Sequence, residues 1–207
     1  MAILAGCASL EKPQFPDAED PEISTAIDRR AVPEAIAVCH GYGCGLTHLV
    51  SLAADWPRIR ALFEPPAASA ASERRAVAQA VGLFEQTAGR QLGTWRDRPR
   101  SPLSLNDPSQ LDCVDESINT SSFLHLLSGQ DLLRWHKVGE PARRFAFLMF
   151  GVHFTAVLIE RQGSTQFAVD SWFHANGAPA EVIELDRWRA GWKPDASRAS
   201  IERAATP

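Results

Sequence analysis

Three residues of this chain have the types and surroundings that covalent acyl chemistry needs. Cys113 opens the run DCVDESINTSSFLHLL (112–127), His153 lies in VHFTAVLIE (152–160), and Asp170 lies in FAVDSWF (167–173). A cysteine at a helix start meets unpaired backbone N–H groups and the positive end of the helix dipole, which favour the nucleophilic thiolate. Asp115 and Glu116, one turn in, act against a thiolate, so activation has to come mainly from a histidine. An aspartate accepting from one ring nitrogen of His153 would fix its tautomer and leave the other nitrogen for Cys113.

The elements that must position these residues can be read from the pattern. Residues 112–127 form a helix capped by Asp112, with apolar residues on several sides, as expected for a buried helix. Residues 152–160 and 167–172 alternate as strands, and the short connection 161–165, containing Gly163, makes them a hairpin. A turn centred near Gln162 sets His153 opposite Asp170, and a register two residues different would still leave them on one face. Residues 145–150 read as a strand leading into the His153 strand, and 182–185 as a last short strand. Ser72 opens a strong helix with Val77, Val81, Phe84 and Ala88 on its buried stripe and Gly89 as its stop; Glu85 reads as surface. The segment 46–63 reads as helix or loop and helix. The long polar approach 91–110 supplies Trp95, Asn106 and Gln110 as candidates to line a cleft, with Trp172 beyond Asp170. His125 and His136 read as surface or packing residues, and His174 and Asn176 as rim residues in a turn.

The order of a cysteine opening a helix, a histidine on a strand and an aspartate on the next strand resembles the transglutaminase-like branch of the papain-like cysteine peptidase superfamily. The bacterial transglutaminase-like cysteine peptidases are the nearest likeness, through Asp112-Cys113 before acidic residues, His153 and Val157 on one strand, and Val169-Asp170-Ser171 on the next. The likeness covers residues 110–173, less than half the chain. It implies an α+β fold in which the Cys113 helix packs on an antiparallel sheet, with Cys113 as nucleophile, His153 as base and Asp170 as orienter. It implies no cofactor. Some members bind calcium beside the cysteine, but Val114 stands here where that position is acidic. The expected activity is hydrolysis or acyl transfer at a peptide or amide bond. The alternative is an inactive transglutaminase-like module that binds envelope protein or glycan.

The remaining features concern compartment and partners. With 207 residues and a net charge of −4, the chain suffices for one well-cored domain and lacks the basic surface that nucleic-acid binding requires. Leu4-Ala5-Gly6-Cys7 resembles the bacterial lipobox, whose cysteine becomes the lipidated first residue of a lipoprotein, although only three residues precede it; the other reading is a plain apolar N-terminus. The lipobox reading divides the chain into a signal remnant (1–7), a proline- and acid-rich tether (8–31) and a transglutaminase-like domain (32–200). It expects a periplasmic, outer-membrane-anchored protein of the bacterial cell envelope, held to the membrane through Cys7, with an envelope protein or peptide as substrate. Residues 35–38 read as a short strand before CHGYGC (39–44). In an oxidising compartment Cys39 and Cys44 favour a disulfide; the rival is a metal site using both cysteines with His40 and His48. No metal is expected at the Cys113 site.

Overall fold

The computed structural model describes residues 21–101, 107–146 and 151–195. Cys7, Asn106 and most of the expected tether lie outside them. The fold is mixed α+β with two antiparallel sheets.

The helix beginning at the cysteine, Cys113–Gly129, is its centre. Asp112 caps it: Oδ1 accepts from the N–H groups of Val114 (3.0 Å) and Asp115 (2.9 Å), while Asp115 Oδ2 accepts from the Asp112 N–H (3.1 Å). Every residue from Asp115 to Leu127 except His125 is buried, as the scattered apolar positions predict. Naming elements in chain order, a helix α1 (Pro21–Ala26), a hairpin of β1 (Ile36–His40) and β2 (Leu46–Val50), α2 (Trp56–Ala61) and α3 (Ala70–Leu92) precede the cysteine helix, α4. Four strands follow, β3 (His136–Ala146), β4 (Gly151–Glu160), β5 (Gln166–Asp170) and β6 (Glu181–Glu184), and then α5 (Leu185–Arg189).

The four strands form one antiparallel sheet in sequence order. Its two faces are separated by strand parity. Ala156, Leu158, Phe167 and Val169 join Phe123, Leu124 and Leu127 of α4 and Val77, Val81 and Phe84 of α3 in the main core. Val157 and Ala168 face the other way, onto Ala142, Leu185 and Trp188. Phe84 and Phe123 stack with centroids 4.8 Å apart, joining the two long helices. On its remaining side α4 holds β1: Asn119 Oδ1 accepts from the Cys39 N–H (2.7 Å) and Nδ2 donates to the Cys39 carbonyl (2.8 Å). One amide side chain thus takes the place of a neighbouring strand.

Several expectations change. Residues 21–31, assigned to the tether, belong to the fold, because Ile23 and Ile27 are buried against Cys39 and Ile118. The segment 46–63 starts as strand β2, where β-branched Thr47 and Val50 outweigh the helical reading. Helix α3 starts at the Ser69 cap, which exchanges hydrogen bonds with Ser72, and ends at Gly93 in the left-handed region (φ 82°) rather than at Gly89. Gly89 instead allows close packing: a Cβ there would lie 2.7 Å from Asn176 Oδ1 and 2.9 Å from the Trp95 nitrogen. Strand β3 begins nine residues earlier than residue 145, at His136, and carries Pro141 because its pairing shifts register between Gly139 and Ala142.

His136 is neither a surface nor a plain packing residue. It is fully buried beside Glu73 of α3, whose carboxylate accepts from the backbone N–H groups of Arg134 (2.7 Å), Trp135 (3.0 Å) and His136 (3.0 Å) and from His136 Nδ1 (2.9 Å). Burial pushes the pKa of this group up, but the hydrogen bonds from His136 and the 134–135 backbone outweigh it and hold the carboxyl below its ordinary value. Glu73→Ala removes the acceptor of three backbone donors and of the buried His136 ring N–H, and a loss of roughly 3–5 kcal/mol in urea unfolding is the expected outcome. A Glu73→Ala protein within about 1 kcal/mol of the parent would show that water replaces the carboxylate.

Candidate active site

The site is built from the N-terminus of α4, the β1–β2 loop and the ends of β4 and β5. Cys39 and Cys44 form a disulfide. Between them Gly41, Tyr42, Gly43 and Cys44 all have positive φ (81°, 69°, 62° and 57°), so their N–H groups turn to one side. Three of these donors meet the capping carboxylates of α4. Tyr42 N–H reaches Asp115 Oδ2 (2.9 Å), Cys44 N–H reaches Asp115 Oδ1 (2.7 Å), and Gly43 N–H reaches Asp112 Oδ2 (3.0 Å). The metal alternative fails here, because the disulfide takes both thiols and register places His40 and His48 on the ribbon face opposite Cys39. His40 Nδ1 donates to the Pro108 carbonyl (2.8 Å) and Nε2 accepts from His48 Nδ1 (2.8 Å).

Cys113 is the free cysteine among the described residues, partly exposed. Strand β5 pairs with β4 only from Ala156 onward, while β3 covers the other edge of β4 down to Gly151. The Cys113 sulfur meets the stretch that β5 leaves bare. Its thiol donates to the Val152 carbonyl (3.7 Å), and the Phe154 N–H also reaches it. The sulfur therefore brackets the backbone of His153. Burial, with the charges of Asp112 and Asp170, pushes the Cys113 thiol up to about 12, against the pull of the Phe154 N–H. Cys113 therefore rests as a neutral thiol, in place of the thiolate expected from helix position alone. The helix dipole is outweighed by desolvation and by two carboxylates.

His153 and Asp170 are brought together. Nε2 of His153 donates to Asp170 Oδ2 at 2.8 Å, with both side chains almost completely buried. The β4–β5 register differs by two residues from direct opposition: Ala156 faces Val169 and Val157 faces Ala168, which sets Asp170 diagonal to His153. The turn is centred between Gln162 and Gly163, with the Glu160 N–H bonded to the Thr165 carbonyl (2.8 Å). Face is preserved, and the longer imidazole spans the diagonal. Since a carboxylate only accepts, the neutral imidazole of His153 carries its proton on Nε2 and its lone pair on Nδ1. Nδ1 is buried and has no hydrogen-bond partner among the described residues. No bond joins it to the Cys113 sulfur in this state.

The other expected cleft residues separate into three cases. Trp95 is exposed (57%), with the Arg96 guanidinium 4.7 Å from its ring centre. Trp172 is buried against His153, ring centres 4.7 Å apart, and so covers the imidazole instead of lining an open cleft. Gln110 is fully used inside the loop: Oε1 accepts from Ser101 Oγ (3.0 Å) and the Arg98 N–H (3.3 Å), and Nε2 donates to the Arg96 carbonyl (2.9 Å). His174, expected on the rim, is buried with Nε2 on Glu181 Oε1 (2.9 Å).

Sequence reading missed a buried acidic cluster behind Cys113. Glu85, assigned to the surface, is buried, as are Asp97, Asp115 and Glu116. Ser171 Oγ donates to Glu116 Oε2 (2.6 Å), the Gly177 N–H to Glu85 Oε2 (2.9 Å), and the Leu111 N–H to Asp97 Oδ1 (2.8 Å). Burial pushes Glu85, Asp97 and Asp115 up to about 7. Glu116 is raised further by burial and by the neighbouring Glu85. The signal was available in Glu85, which follows Phe84 on an otherwise apolar stripe.

No protein-family model matches the chain, and no curated protein or solved structure matches it.

Proposed function

We propose that this chain is a cysteine acyl-transfer enzyme of transglutaminase-like, papain-like architecture, acting on peptide or amide bonds through Cys113, His153 and Asp170. The observation that carries the reading is the state of His153. Asp170 holds Nε2, and a buried, unpartnered lone pair on Nδ1 sits one residue from each backbone group that holds the Cys113 sulfur. A lone pair in that place serves as a general base. Because the resting group is a thiol, the proton leaves as the sulfur attacks. Sγ bonds the carbonyl carbon while its proton passes to His153 Nδ1. The same proton then goes to the departing amine as the C–N bond breaks, leaving a thioester. Water or a second amine, deprotonated by Nδ1, releases the acyl group. The Cys113 N–H, at the first position of α4 where no helical carbonyl can reach it, lies against its own sulfur at rest and would turn to the oxyanion once the sulfur has attacked. With Leu4–Cys7 read as a lipobox, the substrates are proteins or peptides of the bacterial cell envelope.

A second reading has its own support. A thiol at about 12 is what a degenerate site would show, and the same fold would then serve as a binding module. The two are separated by incubating the protein with p-nitrophenyl acetate near neutral pH and weighing it. An acetyl group on Cys113, absent in Cys113→Ala, supports the enzyme. A protein that stays unmodified, while iodoacetamide reacts only in strong alkali, supports the binding module.

A further inference from the structure

We propose that Trp188 is a positioning residue that sets the proton on His153, an inference that rests on the acyl-transfer reading of the site. Trp188 comes from α5, outside the stretch that resembles any known triad, and is completely buried. Its indole Nε1–H donates to Asp170 Oδ2 at 2.7 Å, the same oxygen that accepts from His153 Nε2 at 2.8 Å. Its ring also lies on the imidazole, with centroids 5.4 Å apart and planes 33° apart. One side chain therefore fixes both partners of the dyad. The indole stops the carboxylate turning about its own bond, and the ring stops the imidazole flipping.

Arg144 locks the tryptophan in turn. It is the cross-strand partner of His153, and its guanidinium lies 4.4 Å from the Trp188 ring centre. Nη1 donates to the carbonyls of Trp188 and of Trp192, the latter at 3.0 Å. The guanidinium thus closes the end of α5 as a C-terminal cap from the sheet. The consequence for chemistry is tautomeric. With Oδ2 aimed at Nε2, the N–H stays there and Nδ1 keeps its lone pair. With the carboxylate free to turn, imidazole carries its proton on either nitrogen, and the fraction bearing it on Nδ1 cannot accept from Cys113.

The test is nitrogen NMR of the full chain, with the His153 signals assigned by comparison with His153→Ala. The parent should show a single Nε2–H tautomer whose proton exchanges slowly with water. Trp188→Phe keeps a ring but removes the donor. It should show both tautomers, at least tenfold faster Nε2–H exchange, and a roughly tenfold slower acetylation of Cys113 by p-nitrophenyl acetate at saturating ester. An unchanged tautomer and exchange rate in a folded Trp188→Phe overturns the proposal. If that variant does not fold, Arg144→Gln decides, since it releases α5 while leaving the indole; an unchanged tautomer there also overturns it. The tautomer is read without substrate. A shifted tautomer in a protein whose parent is never acetylated therefore keeps the Trp188 assignment and removes the acyl-transfer reading.

Discussion

His153→Ala is expected to slow acylation of Cys113 near neutral pH by about 10³-fold or more, while Asp170→Asn slows it by a comparable factor. The size follows from the resting thiol. At about 12, the fraction ionised near neutrality is roughly 10⁻⁵, so a pre-formed thiolate contributes almost nothing. Nearly all of the reaction must then pass through proton transfer to Nδ1 during attack, and removing Nδ1 removes that route. Asp170→Asn is the sharper variant because it keeps size and burial. The amide can still take the Trp188 N–H on its oxygen, but it no longer offers a charged acceptor to His153 Nε2, so the imidazolium formed during attack loses its counter-charge. Stopped-flow acylation with an activated ester, run beside Cys113→Ala as the zero, measures both. A His153→Ala protein that acylates within threefold of the parent would mean that the thiol is activated by some other group.

The second large effect concerns stability against pH, and its direction is unusual. In the unfolded chain Asp and Glu titrate near about 4. In the fold Glu85, Asp97 and Asp115 titrate at about 7 and Glu116 well above its ordinary range. Between those values the folded protein binds protons that the unfolded chain has released, so stability falls as pH rises. The contribution of these groups is complete below about pH 4 and is lost as pH passes through about 7. Asp97 alone, three pH units displaced, corresponds to on the order of 4 kcal/mol. Glu73 works the other way: its carboxyl is held low, so its contribution is present above about pH 4 and lost in acid. Urea unfolding should therefore give its highest free energy in mild acid and lose at least ~4 kcal/mol by slightly alkaline pH. Asp97→Asn should flatten that slope. A free energy that climbs from mild acid to neutrality would show that the cluster is ionised in the fold.

Much of the site's placement was legible because it depends on parity and capping, which are local. Asp112 before Cys113, and His153 and Asp170 on the same face of a hairpin, follow from residue types and a period of two. What the sequence pattern could not give was set by distant partners. Strand β3 contains Gly139 and Pro141, so its periodicity is broken at the bulge, and only pairing with β4 identifies it. Glu73 and His136 are each ordinary surface residues by type, and their burial is visible only once 63 residues of chain bring them together. Nothing local announces that the Trp188 N–H meets Asp170. The ionisation of Cys113 was misread for the same reason. Helix position argues for a thiolate, whereas burial and the Asp170 carboxylate, which join Asp112 in opposing it, come from chain distant in sequence.

The loop of left-handed residues that holds Asp112 and Asp115 uses backbone dipoles where many proteins use lysine or arginine. Dipoles fixed in a covalently closed loop are not diluted by mobile ions, and a partly buried contact lies well inside the Debye length of about 8 Å at physiological ionic strength. The Cys113 helix is thus fastened in a manner indifferent to the salt around it. As ionic strength varies, the geometry at Cys113 would stay constant while surface ion pairs such as Arg29 with Glu140 loosen and re-form.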